Sequence, residues 1–135
     1  MPSIPTFPSV AFLMATDTNG TITSNGTATS IAANTAEQLR LGVIAYTAKV
    51  ARRAGRPVEL TIRGDTNRYQ VAVHPDGYTQ EIGKDRTVPD APTSHDRQVA
   101  RGLCRSCKRI ALPSYNFCCY CRTENPLTRL QEISA

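Results

Sequence analysis

Tryptophan is absent from this sequence, histidine occurs only at His74 and His95, and phenylalanine occurs three times. Both histidines are expected in solvent, His74 at a strand end before a turn and His95 in a linker, with His95 as a metal ligand the lesser reading. No Gly-rich phosphate loop, G-x-S-x-G elbow or H-E-x-x-H helix occurs. The carboxylates are scattered over exposed strand faces and turns without a visible pair for acid–base work, so no enzyme is expected. No run approaches the roughly 18–20 apolar residues that span a bilayer, which excludes a transmembrane helix. The longest apolar run, Val10 to Ala15, has no basic region before it, so a signal peptide is not expected and a cytoplasmic location is.

Cysteine is missing from the first 103 residues, and all five lie between Cys104 and Cys121. A disulfide-stapled secreted domain would spread an even number across its core. The clustering points to a reducing compartment and a local metal site. The Asn-Gly-Thr sequons at Asn19 and Asn25 accordingly read as turns.

The 135 residues (14.7 kDa, mean hydropathy −0.32, 40% hydrophobic) suit one small soluble domain plus a module needing its own staple. Residues 1–9, with three prolines, read as an extended arm. Between residues 10 and 31 the only charge is Asp17. There Val10–Thr16 and Thr21–Thr23 form a hairpin around Asp17–Gly20, and a third strand over Thr27–Ile31 competes with a flexible segment. Asn34 to Gly55 is the clearest helix, with Asn34 as cap and Glu37 three residues on. Its apolar face comprises Ala36, Leu39, Val43, Tyr46, Val50 and Ala54, widened by Leu41, Ile44, Ala48 and Ala51, and Gly55 and Pro57 stop it. Strands follow at Val58–Arg63, Arg68–His74 and Tyr78–Ile82, with Pro75-Asp76-Gly77 as a tight turn. The reading is α+β: a small ββ-α-βββ domain over residues 10–82, one long helix on an antiparallel or mixed sheet. Its beginning is similar in element order to ubiquitin-like folds, an analogy that carries no function. Residues 83–97 read as a linker, 98–125 as a cysteine-bearing metal module and 126–135 as a short C-terminal helix. Asn125-Pro126 would start that helix, and Leu127, Leu130 and Ile133 would line one side of it.

The cysteines follow C-x2-C-x10-C-x2-C: Cys104 and Cys107, then Cys118 and Cys121. Each pair can form a knuckle aiming two thiolates at one ion, and two knuckles complete a tetrahedron suited to zinc. Iron–sulfur ligation is the minor alternative. A closed four-sulfur site has no open position, so one structural zinc ion is expected. Cys119 is spare, its side chain expected to point away from the metal; ligand exchange with Cys118 or a redox role are the sharper alternatives. The stretch Cys104–Cys121 resembles the short zinc-ribbon module at the chain ends of many bacterial proteins. In that family a phenylalanine precedes the second knuckle and a proline lies midway, as Phe117 and Pro113 do here. The resemblance implies a local fold and a metal, not an activity. Where the family commonly has glycine after each knuckle, this chain has Lys108 and Arg122, at positions that often need positive φ.

The formal charge of +5 divides into about +1 on residues 1–94 and +4 on the rest. A zinc–tetrathiolate cluster carries −2, so much of the basicity of the C-terminal part offsets the cluster. Lys49, Arg52, Arg53 and Arg56 at the helix C-terminus complement the helix dipole and are one candidate partner surface. Arg105, Lys108, Arg109 and Arg122, interleaved with Tyr115 and Tyr120, are the other. The functional expectation is a non-enzymatic zinc-binding adaptor with a protein partner. The alternatives are a nucleic-acid-associated regulator of transcription or translation, and an accessory protein of a phage or mobile element. Oligomeric state is not legible.

Overall fold

The computed structural model describes residues 9–24, 26–64, 68–82, 101–112 and 117–132. The linker reading of 83–97, most of the arm, Pro113, Tyr115, His95 and Ile133 fall outside the described residues. The chain runs through β1 (Ser9–Thr16), β2 (Asn19–Ser24), β3 (Thr27–Ala32), α1 (Ala36–Ala54), β4 (Val58–Arg63), β5 (Arg68–Val73) and β6 (Thr79–Glu81). It then forms β7 (Gly102–Leu103), β8 (Ile110–Ala111) and β9 (Arg129–Glu132). Among these, seven strands make one mixed sheet in the order β6-β5-β4-β1-β2-β3-β9, and β7 and β8 pair separately.

The first three strands form an antiparallel meander, with β3 an ordered strand. The expected ββ-α-βββ order is therefore corrected to βββ-α-βββ, which also removes the ubiquitin-like order of elements. Of the two readings of Thr27–Ile31, strand or flexible segment, the strand holds; its weak burial, with only Thr29 and Ile31 buried, is why the sequence did not separate them. Gly26, at φ 80°, supplies the left-handed turn residue before it. The first hairpin turns at residues 17–18, so Asn19 and Gly20 already belong to β2. The helix returns the chain to place β4 parallel to β1, the connection a parallel pair requires. β5 and β6 then continue antiparallel, with Val58 opposite Val73 and Leu60 opposite Val71.

Thr35, not Asn34, caps α1: its Oγ1 accepts the Gln38 N–H at 3.1 Å. Gly55 ends the helix at φ 72°, its N–H donating to Ala51 O at 2.8 Å. The helix buries Leu39, Val43, Ile44 and Ala48 against Val10, Phe12, Ile22, Ile31, Leu60 and Val73 of the sheet. Ala36, expected on that face, is exposed. Gly42 lies away from this packing, where a Cβ would sit 2.0 Å from Thr128 Cγ2. The missing side chain lets the segment entering β9 cross the helix.

Residues 129–132 form a strand, so the helix expected over 126–135 is corrected. β9 pairs antiparallel with β3, Ile31 opposite Leu130 and Ala32 opposite Arg129. A ten-residue helix is marginal alone, whereas the open edge of β3 offers a ladder of backbone partners. Asn125 also takes φ 49°, outside the extended range of a helix cap. The Leu127 and Leu130 spacing that suggests a helix has another cause. Leu127 packs with Leu41 and Ala111, while Leu130 joins the main core.

Two polar readings change as well. His74 is buried, with Nε2 2.6 Å from Gln80 Oε1 and the ring 5.4 Å from that of Tyr78. Its N–H donates to Tyr78 O across the Pro75–Gly77 turn, which draws the ring under cover. Glu59 is buried and accepts from Gln70 Nε2 at 3.2 Å and Thr61 Oγ1 at 3.3 Å, so it is not on an exposed strand face. No helix among the described residues is long and apolar enough to cross a membrane.

Candidate metal centre

Two matched backbone turns build the cysteine cluster. In the first, the Lys108 N–H donates to Cys104 O (3.0 Å) and the Cys104 N–H to Arg109 O (2.8 Å). In the second, the Arg122 N–H donates to Cys118 O (2.9 Å) and the Cys118 N–H to Thr123 O (3.0 Å). Each turn closes with a left-handed residue, Lys108 at φ 64° and Arg122 at φ 62°, the positions where glycine is the unstrained choice. The sulfurs also accept from the turns: Ser106 N–H to Cys104 Sγ and Tyr120 N–H to Cys118 Sγ, both at 3.4 Å.

The two turns bring the sulfurs of Cys104, Cys107, Cys118 and Cys121 within 4.8 Å of one another. Cys104 and Cys121 are 3.6 Å apart, and Cys107 and Cys118 3.5 Å. A tetrahedral tetrathiolate site with metal–sulfur bonds of about 2.3 Å has edges of roughly 3.8 Å, so the donor set has the size of a metal site. These separations are far beyond the about 2.05 Å of a disulfide. The Thr123 hydroxyl, 3.1 Å from Cys121 Sγ, together with the Thr123 amide, holds the Cys121 thiol down at about 6. Backbone N–H groups of Cys121 and Tyr120 lower Cys118. Cys107, despite a backbone hydrogen bond from Arg109, is pushed up to about 11 by burial and by the sulfurs of Cys118, Cys121 and Cys104. A cation among the sulfurs would offset the charge of their thiolates. Cys119 is exposed beside the cluster.

The cluster is fastened to the helix and to the sheet edge. Gln38 Nε2 donates to Leu103 O and, at 3.0 Å, to Leu127 O, while its Oε1 accepts the Leu103 N–H at 3.3 Å. Arg105 donates through Nε to Asn125 O (3.1 Å) and through Nη2 to Glu124 O (3.0 Å). Its own N–H donates to Pro126 O at 2.6 Å. Gly102 lies so close to Leu127, Gln38 and Leu41 that a Cβ would meet all three within 3.0 Å. Gln38 and Gly42 are the positions that sequence reasoning missed, because their partners lie 65 and more residues away.

The two candidate surfaces fare differently. Lys49 Nζ donates to Asn125 Oδ1 at 2.8 Å, and its pKa is lowered by burial and by Arg52 and Arg53, against an opposing pull from Glu124. Arg52 Nη1 donates to Pro75 O at 2.8 Å. Arg53 is exposed and Arg56 half-buried, so the helix-end cluster is largely built into the fold. In the cysteine module Arg105 is likewise internal, whereas Lys108, Arg109, Tyr120 and Arg122 are exposed. A separate cavity of about 690 Å³ lies between α1 and the sheet, lined by apolar residues including Phe12, Ile62 and Val71, with Glu37 and Arg40 at its ionisable positions.

Compared with known proteins, the chain matches no family model, no curated protein and no solved structure.

Proposed function

We propose that the protein is a non-enzymatic adaptor whose C-terminal zinc ribbon is a rigid display element for a protein partner. The observation that carries this reading is the convergence of four thiols from two matched knuckles on one point. Four soft thiolates at tetrahedral spacing favour zinc, which needs no redox chemistry of its own. Cys104, Cys107, Cys118 and Cys121 would hold the ion, and they fill its coordination shell, so no position remains to activate a water molecule. The ion's contribution is then structural: it fixes a short module that buries too little apolar surface to hold its shape unaided. Because Gln38 and Arg105 tie that module to α1 and to the approach to β9, metal binding also secures the sheet edge.

Elemental analysis of the purified chain tests the metal, with one zinc per chain expected and a ratio far below one contradicting it. Capture from native lysate, with and without nuclease, tests the partner class. A protein retained after nuclease treatment supports the adaptor. Retention that depends on nucleic acid favours the regulator, and metal-dependent turnover of any substrate refutes the reading.

A further inference from the structure

The hairpin that carries the first knuckle has two unlike faces. Gly102 and Ala111 pair across it and are buried toward Leu41 and Leu127. Leu103 and Ile110, the next pair, lie directly opposite each other, so their side chains share the other face. They are 50% and 52% exposed. Arg109, beside Ile110, lays its guanidinium 4.6 Å from the centre of the Tyr120 ring. That contact joins the hairpin to the second knuckle, where Tyr120 is 59% and Phe117 53% exposed. Four large apolar side chains thus face water in a module of about thirty residues, a concentration that marks interaction surfaces. Lys108 and Arg122 are exposed at the knuckle corners and Arg101 at the start of the hairpin. Among the described residues of the module, Glu124 is the one exposed carboxylate.

We infer that this face of the module docks an acidic, amphipathic segment of a protein partner, an inference that rests on the metal-stapled display reading above. Leu103 and Ile110 offer a cross-strand apolar centre, and the surrounding cations complement carboxylates flanking the partner's apolar residues. The backbone under this centre is fixed, because Gln38 donates to Leu103 O and accepts the Leu103 N–H. A rigid anchor surface costs less to order on binding. Nucleic acid fits this face less well. The centre of the face, Leu103 and Ile110, offers no ring on which a base can stack. Of the two exposed rings among the module's described residues, Tyr120 has one face covered by Arg109, which leaves Phe117 as the remaining ring for stacking. The cations Lys49, Arg52 and Arg105 are held in hydrogen bonds within the protein.

The test is selection of a random twelve-residue peptide library on the zinc-loaded full chain, followed by measurement of the enriched peptides in solution. Enrichment of acidic sequences carrying spaced apolar residues is expected. Their affinity is expected to fall at least about tenfold on Leu103→Ser/Ile110→Ser, the scale of a central anchor's loss. It should also fall with added salt and with Arg109→Glu, which reverses an exposed charge and gives up the stacking on Tyr120. Circular dichroism and zinc content of each variant verify folding, and if the double variant unfolds, Arg109→Glu decides. Basic or neutral peptides, or acidic ones indifferent to Arg109→Glu, overturn the proposal. So does a dT12 oligonucleotide that binds tighter than any selected peptide and competes for the same face. A chain without zinc fails the module reading itself. A zinc-loaded chain that selects no acidic amphipathic class fails only the docking inference.

Discussion

Lys108 and Arg122 occupy left-handed backbone at φ 64° and 62°, where a side chain costs about 1–2 kcal/mol. Both side chains are exposed, Lys108 Nζ reaching back to Arg105 O at 3.4 Å. Lys108→Gly and Arg122→Gly are therefore expected each to stabilise the zinc-loaded chain by up to about 1 kcal/mol, the remainder being offset by glycine's freedom in the unfolded state. Alanine at either position is expected to give no gain. Urea unfolding of the zinc-loaded variants reads the difference, and equal midpoints for glycine and alanine would refute the strain argument. Thr123 is the neighbouring case. Its hydroxyl stabilises the Cys121 thiolate, and such supporting hydrogen bonds are worth roughly 10–100-fold in metal affinity. Thr123→Val is expected to weaken zinc binding at least about tenfold in a chelator competition, with the fold unchanged. At this scale the sequence was informative. The C-x2-C spacing named the four sulfurs, and the lysine and arginine that follow the two knuckles, at positions that often need positive φ, marked the two strained positions. The burial of Glu59 and His74 was not legible, because side chains that approach only in the folded sheet cover them.

At the scale of elements, local signals served where local forces decide. Alternation and turn chemistry located β1, β2, β4, β5 and β6, and apolar periodicity with Gly55 bounded α1 to within two residues. β9 was misread because its conformation is set by the edge of β3, about 100 residues earlier, and not by its own propensity. Gly42 belongs to the same long-range logic. Glycine inside a helix costs about 1 kcal/mol relative to alanine, so propensity alone favours Gly42→Ala. A Cβ there would nevertheless stand 2.0 Å from Thr128 Cγ2 and 2.8 Å from Thr128 Cβ. The substitution must push the 126–128 segment off the helix, at about 1–3 kcal/mol for overpacking. We therefore expect Gly42→Ala to destabilise the chain despite its better helix propensity. Amide exchange should quicken first at Arg129 and Leu130, while the β1–β4 ladder keeps its protection. A net gain in stability, or exchange that quickens uniformly, would show that the close approach is not what requires glycine.

Among the described residues, the two larger hydrophobic clusters have different origins. The buried members of the main cluster, from Val10 and Phe12 to Leu60 and Val73, all lie on α1 and the strands before residue 74, with Leu130 of β9 packed against them only as a partly buried neighbour. The smaller one, Leu41, Ala111 and Leu127, exists only while the cysteine module sits on the helix. Hydrophobic burial can hold the first together without metal; the second has three buried members and depends on hydrogen bonds from Gln38 and Arg105. Removing zinc should therefore not unfold the protein in one step. With EDTA at neutral pH, the β7–β8 hairpin and β9 are expected to lose exchange protection, while β1, β2, β4 and α1 retain it and most far-UV dichroism persists. The freed edge of β3 then presents unpaired backbone groups, so the chelated chain should associate at concentrations where the zinc-loaded chain does not. Light scattering before and after chelation reads this, and readdition of zinc should reverse it. A single cooperative loss of all protection on chelation would mean that the two cores form one unit. Unchanged protection in β9 would mean that the sheet edge stands without the metal.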